Sequence, residues 1–131
     1  MNDHWENTDL VFRQVHPNHC NGMNPNSVAF CPTPKDEAKL SVDDASLTTA
    51  EGSWNHFTKK LGFQSAGTWA VSFEEVESAE DLTLVKDPLE DNLAHCLIDF
   101  SQVSSKGQMK KRAQLLAIKS SARGCLFQAP Q

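Results

Sequence analysis

Arg13 and His16 stand out in the sequence because they lie where a short apolar segment ends and an irregular one begins. Residues 10–15 (LVFRQV) are rich in β-branched and aromatic side chains and predict a strand, which ends at His16-Pro17. The guanidinium of Arg13 can hold a phosphate or carboxylate, and His16 can transfer a proton near neutral pH. The pattern therefore predicts an acid–base site for an anionic substrate. We favour the structural alternative, in which Arg13 pairs with a surface acid and His16 caps a turn.

His95 is a further candidate for proton transfer. It belongs to the segment 94–100, whose alternation predicts a strand with His95 and Asp99 on the same face. Residues four apart on a strand are separated by about 13 Å, so these two side chains can line one pocket but cannot bond directly. A half-buried histidine bonded to a backbone carbonyl explains His95 more simply, and we favour it. The candidate catalytic residues are thus Arg13, His16 and His95.

A metal site is conceivable in the same part of the chain. His16, His19, Cys20 and Cys31 are of the residue types that bind zinc. Structural zinc sites usually present two closely spaced pairs of ligands, however, and only one end of this segment resembles such a pair. The sequence therefore predicts no metal and no other cofactor, although it leaves open whether these four side chains bind one.

The charges are unevenly distributed along the chain. All 17 acidic residues lie at or before Asp99, whereas half of the 12 basic residues follow it in a segment without acids. On a helix, Arg112, Lys119 and Arg123 form a narrow cationic stripe, which can bind a nucleic-acid backbone or an acidic protein. We favour the alternative that this stripe pairs internally with the acidic run 74–81. Nucleic acid is the less favoured partner because the net charge is −5.

Two helices and several short strands must position these residues. Apolar side chains recur at steps of three and four and predict an amphipathic helix over 47–61, with Thr48 and Glu51 as a capping box. We expect its Trp54 and Phe57 to rest on the strand 68–73. The large residues on one face of that strand are Trp69, Val71 and Phe73. A second helix is predicted over about 105–122, capped by Ser104 or Ser105.

The remaining segments complete the prediction of an α+β fold. One helical turn is expected within 74–81. Further strands are expected at 27–31, 40–42, 82–85 and 125–127. The result is a short, mostly antiparallel sheet of about five to seven strands, packed by the two helices. Residues 1–8 are expected to be frayed, and residues 9–128 to form a single domain.

Composition narrows the functional class but does not identify a reaction. No stretch reaches the length of about 18 apolar residues that would span a bilayer, and the polar N-terminus does not resemble a secretion signal. We therefore expect a cytoplasmic protein without membrane association. The first hypothesis is a small binding domain for a protein partner or a small polar ligand, with a pocket near His16 and His95 and with self-association through sheet edges. The alternatives are the acid–base enzyme and, more weakly, nucleic-acid binding through the basic helix.

Overall fold

Strands and helices alternate along the chain. The computed structural model describes residues 5–130. The eight strands are β1 (Leu10–Val15), β2 (Cys20–Asn21), β3 (Asn24–Pro25), β4 (Lys39–Asp44), β5 (Gly67–Ser72), β6 (Thr83–Lys86), β7 (His95–Asp99) and β8 (Phe127–Gln128). Six of them form one antiparallel sheet in the order β6-β7-β4-β1-β5-β8, and β2 pairs with β3 in a small ribbon. The prediction of a single α+β domain with a mostly antiparallel sheet is confirmed.

One face of the large sheet is covered by the long helix α3 (Lys106–Arg123). Of the two predicted caps, Ser104 and Ser105, it is Ser105 that caps this helix by accepting a hydrogen bond from the Gln108 amide. The buried side chains of α3 and of the inward strand positions form a single apolar core, together with Phe30 and Phe100. Alternation in β1 and β5 turns Val11, Val71 and Trp69 toward this core. This face of the sheet therefore packs against the apolar core.

The other face is covered by the shorter helix α1 (Ala50–Asn55), which continues as a π-helix over His56–Lys60. The cap is Thr49 rather than Thr48, because the Thr49 hydroxyl accepts from the Gly52 amide. The predicted helix is present and ends within one residue of the expected position, but it begins three residues later than predicted. Leu47 and Leu61, the outermost residues of its apolar stripe, are exposed.

The expected seat of this helix is also wrong. Gln14 and Thr68 bond to α1, and they alternate with the residues that face α3. Trp54 therefore does not rest on Trp69 and Val71. Its indole donates to the Ser65 carbonyl at 3.1 Å, and its ring lies 5.4 Å from that of Phe127. Alternation places residues on two faces, but it does not say which helix covers which face.

Three other segments differ from expectation. The strand predicted at 27–31 is a 3₁₀ helix, Ser27–Phe30, because the Asn26 side chain caps it by accepting from the Val28 amide. Phe73 does not extend β5 but begins α2 (Phe73–Ser78), since Ser72 and Glu75 form a capping box. Of the segment expected to be frayed, residues 1–4 lie outside the described part of the chain. Trp5 is buried and stacks on Phe73, so the folded region begins before residue 9.

The acidic α2 segment pairs with the basic α3, which is the internal pairing favoured from the sequence. Both Nη atoms of Arg123 donate to the Glu75 carboxylate, at 2.9 and 3.0 Å, and Nη1 also donates to the Ala70 carbonyl. Partial burial works to raise the pKa of Glu75. The hydrogen bonds from Arg123 and from the Ser72 amide outweigh it, so the pKa of Glu75 lies below its ordinary value.

This clamp gives a prediction for stability. Because a partly buried bidentate pair and a backbone bond are lost together, Arg123→Met is expected to lower the free energy of unfolding by about 1–2 kcal/mol at pH 7. Urea denaturation measures it. Lys111→Met is the matched control, since Lys111 is exposed on the same helix and makes no ion pair within residues 5–130.

The pH dependence of this difference in unfolding free energy tests whether the Glu75 carboxylate causes it. A carboxylate whose pKa is lowered by folding stabilises the protein above its unfolded pKa of about 4.5, and this stabilisation is lost as the pH falls. The difference between wild type and Arg123→Met should therefore shrink from pH 7 toward about pH 3. A difference that stays constant over that range would show that Glu75 is not responsible.

Candidate functional site

A cavity of about 300 Å³ lies between the α1 face of the sheet and the helix that covers it. The 89–92 turn closes one side. Its apolar wall is built by the side chains of Phe12, Phe57, Leu61, Phe63 and Leu89. The rings of Phe57 and Phe63 lie 5.1 Å apart, so they form one aromatic surface opposite the sheet.

The cavity exists because β1 and β4 separate. They pair only at Val11–Asp44 and Phe12–Asp43, whereas β1 pairs along its whole length with β5. Beyond these two pairs, hydrogen bonds from the Arg13 side chain replace the backbone hydrogen bonds of the sheet. Its Nε donates to the Ala29 carbonyl at 2.8 Å, and its Nη1 donates to the Ser41 carbonyl at 3.0 Å.

Arg13 keeps its positive charge in this position. Burial lowers the pKa of Arg13 to about 10, while the negative charge of Asp36 acts in the opposite direction. A group with that pKa remains protonated at neutral pH. The hydrogen bonds of the Arg13 side chain go to backbone carbonyls. The expectation that Arg13 pairs directly with a surface acid is therefore wrong.

A buried polar network fixes α1 beside the cavity. The Gln14 amide nitrogen donates to Ser53 and Thr68, and its oxygen accepts from the Ser65 hydroxyl. Ser53 in turn donates to Asp43 at 2.7 Å, and Thr68 donates to the Ala50 carbonyl at 3.0 Å. The side chains of Gln14 and of its three partners are all buried. The network therefore holds the first turns of α1 in one position over the sheet.

His56 extends from the π-helical turn into the cavity. Its Nε2 atom is buried and makes no hydrogen bond within residues 5–130. An Asp91 carboxylate oxygen lies 3.5 Å away, outside hydrogen-bonding geometry, but close enough to attract the ring when it is protonated. The Asn92 amide on the same turn donates to Asp43 at 2.9 Å and so holds the turn against the sheet.

His95 lies at the rim of the cavity in a chain of three side chains. Its Nδ1 lies 3.0 Å from the Asp87 carbonyl oxygen and 3.1 Å from the Asp87 carboxylate. Its Nε2 lies 3.1 Å from the Ser41 hydroxyl. The contact with a backbone carbonyl that was expected of a half-buried His95 is present. The two side-chain partners were not foreseen.

The structure brings together two of the three candidate catalytic residues. Arg13 and His95 both line the cavity, but His16 does not. His16 lies at the other end of β1, where its Nδ1 accepts from the Asn18 amide and caps the 3₁₀ helix Pro17–His19. The structural alternative for His16, a turn cap, is the one observed. Asp99 is likewise outside the cavity lining.

The three residues of the cationic stripe have different surroundings. Arg112 donates to the Glu80 carbonyl and to Gln108, and lies within 4.0 Å of the Glu80 and Asp81 carboxylates. Arg123 is clamped to Glu75, as described above. Lys119 is exposed, and it forms no ion pair with any residue that the structure describes. Most of the stripe therefore serves to join α3 to the acidic α2 region.

The residues considered for metal binding do not converge. Among residues 5–130, no group of three or more His, Cys, Asp and Glu side chains is arranged to hold a metal ion. The Cys20, Cys31, Cys96 and Cys125 side chains are free thiols. Burial raises the pKa of Cys20 and of Cys31, and it raises the pKa of Cys96 to about 12, with a further contribution from Asp44. These groups stay protonated at neutral pH.

The Gln14 network gives a second prediction. Gln14→Leu should lower the free energy of unfolding by about 2–4 kcal/mol, because it removes one hydrogen bond from each of the buried hydroxyls of Ser53, Ser65 and Thr68, which keep only their other partners. Gln114→Leu is the matched control. Gln114 is exposed on α3, so a change within about 0.5 kcal/mol is expected there. Equal losses in the two variants, measured by urea denaturation, would mean that the network does not hold α1.

No helix among residues 5–130 has the length and apolar character needed to cross a membrane. Comparison of the chain with protein-family models, with the sequences of curated proteins and with solved structures finds no match. The site is defined by its own geometry: an apolar cavity at the gap between β1 and β4, with Arg13, His56 and His95 around it.

Proposed function

We propose that this protein is a binding domain whose cavity receives a small uncharged molecule with an apolar body and one hydrogen-bonding head group. The observation that carries the proposal is the buried Nε2 of His56, which has no hydrogen-bond partner within residues 5–130. A buried polar atom left unpaired costs about 1–3 kcal/mol. A ligand hydroxyl, carbonyl or amide at this point would supply the missing partner.

The shape of the cavity supports a small ligand. A volume of about 300 Å³ is at the lower end of the range for small-molecule sites. Its wall is mainly aromatic and aliphatic, and its polar groups converge from the sheet and from the 89–92 turn. Apolar walls with a few placed polar groups are typical of such sites, in which burial gives affinity and the polar groups give orientation.

The charges around the cavity support an uncharged ligand. Arg13 contributes a positive charge, while Asp43 and Asp91 contribute negative ones. A ligand with a net charge would be attracted by one side and repelled by the other. The Asp43 carboxylate is also already engaged by Ser53 and Asn92, so it offers less to a cationic head group.

Other parts of the sequence-based hypothesis remain proposals. A protein partner and self-association are compatible with the two edge strands, β6 and β8. The concave site favours the small ligand as the first function to test. Cytoplasmic location is likewise a proposal, supported by the four free thiols, since reducing compartments keep cysteines in that form.

A ligand series tests the proposal directly. Benzyl alcohol and benzamide are uncharged, while benzoate and benzylamine have a similar ring with opposite charges. We expect the uncharged pair to bind more tightly, measured by chemical-shift changes in the NMR spectrum of the protein. His56→Leu, which removes Nε2 at similar volume, should weaken the binding of benzamide by about tenfold, the value of one hydrogen bond.

His16→Ala is the matched control, because His16 lies outside the cavity. It should leave the affinity for benzamide unchanged. Tighter binding of either charged compound would overturn the conclusion about ligand charge. If none of the four compounds shifted resonances of cavity residues, or if His16→Ala weakened binding as much as His56→Leu, the site itself would be wrong.

A further inference from the structure

The bonds of His95 fix which of its nitrogens carries the proton. A carbonyl oxygen can only accept a hydrogen bond, so the contact of 3.0 Å with the Asp87 carbonyl requires a hydrogen on Nδ1. In the neutral ring Nε2 is then unprotonated. The Ser41 hydroxyl, 3.1 Å away, must be the donor in that contact. The Ser41 hydroxyl therefore donates to Nε2 of His95, and the contacts of Nδ1 with Asp87 fix the tautomer of that ring.

The Asp87 carboxylate completes this arrangement. It lies 3.1 Å from Nδ1, on the side of the ring opposite Ser41. A carboxylate in that position stabilises the imidazolium that forms when Nε2 takes up a proton. A serine hydrogen-bonded to a histidine that is in turn bonded to an aspartate is the arrangement of a catalytic triad. Such a triad is recognised by geometry and roles rather than by position in the sequence.

The strand register explains why these residues meet. Ser41 lies on β4 and His95 on β7, and the residue directly opposite His95 is Asp43. Ser41 is the diagonal neighbour on the same face, within reach of a long side chain. Asp87 follows β6, and its amide bonds to the His95 carbonyl at 3.0 Å. The three positions are therefore held by backbone pairing as well as by their side chains.

Ser41 is also accessible. It is exposed, and it lines the cavity together with His95, whose side chain is mostly buried at 14% exposure. Arg13 also lines this cavity, and its guanidinium is bonded to the backbone carbonyls of Ala29 and Ser41, so it holds the backbone of the serine in place.

We infer that Ser41 is the nucleophile of an acyl-transfer site at the cavity rim, with His95 as general base and Asp87 as the residue that positions His95. The substrate class is a small uncharged carboxylic ester with an apolar acyl group. This inference rests on the proposed ligand cavity and gives its occupant a reaction.

The steps balance without a further reagent. The Ser41 oxygen forms a bond to the carbonyl carbon, and its proton moves to Nε2 of His95. The bond from carbon to the leaving oxygen then breaks, and the alcohol departs with that proton. Water attacks the Ser41 ester in the same way, giving its proton to Nε2 and releasing the carboxylic acid as the proton returns to Ser41. The net reaction is ester plus water to acid plus alcohol.

A fluorophosphonate with a short alkyl chain is the first probe. Its phosphorus forms a bond to the Ser41 oxygen as the bond to fluorine breaks, fluoride leaves, and the proton goes to His95. Intact-mass analysis and peptide mapping should find one label on Ser41. His95→Gln should slow labelling at least about 100-fold, as expected for loss of a general base.

Ser104→Ala is the matched control, an exposed serine with no side-chain hydrogen bond among the described residues. It should label like wild type, whereas Ser41→Ala should not label. Hydrolysis of p-nitrophenyl butyrate should fall in parallel, with unchanged melting temperatures showing that the variants are folded. No label on Ser41, a label elsewhere, or labelling unaffected by His95→Gln would each overturn the inference.

Binding and reaction can be separated. The affinity of the Ser41→Ala protein for benzamide reports on the cavity alone. Normal binding by this variant, together with an unlabelled wild type, would refute acyl transfer and leave the binding function standing. Labelling of Ser41 that benzamide does not slow would refute the claim that the substrate occupies the cavity.

Discussion

The buried amide of Gln14 is the interaction on which the half of the molecule that contains the candidate site depends. It lies near the end of β1, where an apolar residue would be expected, and its hydrogen bonds reach α1, β5 and the turn before β5. Because a buried amide is costly when unpaired, the three partners have to be present at once. The first half of α1 is therefore fixed to the sheet by directional bonds rather than by apolar contact.

That attachment positions the helical wall of the cavity. The network holds Ala50 and Ser53 against the sheet, and the helix then widens into a π-helical turn that carries His56 and Phe57 over the gap beside β4. π-helical turns in proteins are often found at functional sites. On the opposite face, α3 fills the space with Ala113, Leu116 and Ala117. One face of the sheet is thus closed by apolar packing, whereas the other retains a cavity.

The chemistry of the site was only partly visible in the sequence. Arg13 and His95 were identified from their residue types and from their places in or near strands. Ser41, His56 and Asp87 were missed. Ser41 is one serine among many, and its role depends on the antiparallel register of β4 with β7. Asp87 and Asp91 lie in loops that no periodic pattern describes, and His56 lies outside the apolar stripe by which the helix 47–61 was predicted.

What the sequence determined by itself was mainly local. The strand segments β1, β5 and β7, the start of α3 near Ser104 or Ser105, and the presence of an acidic segment and a basic helix that can pair all follow from patterns within each segment. The tertiary structure alone decided which face α1 covers, that 27–30 forms a 3₁₀ helix, and that Arg13 spans the gap to Ser41. Those features depend on strand register and on burial of polar groups, and both are set by partners far away in the sequence.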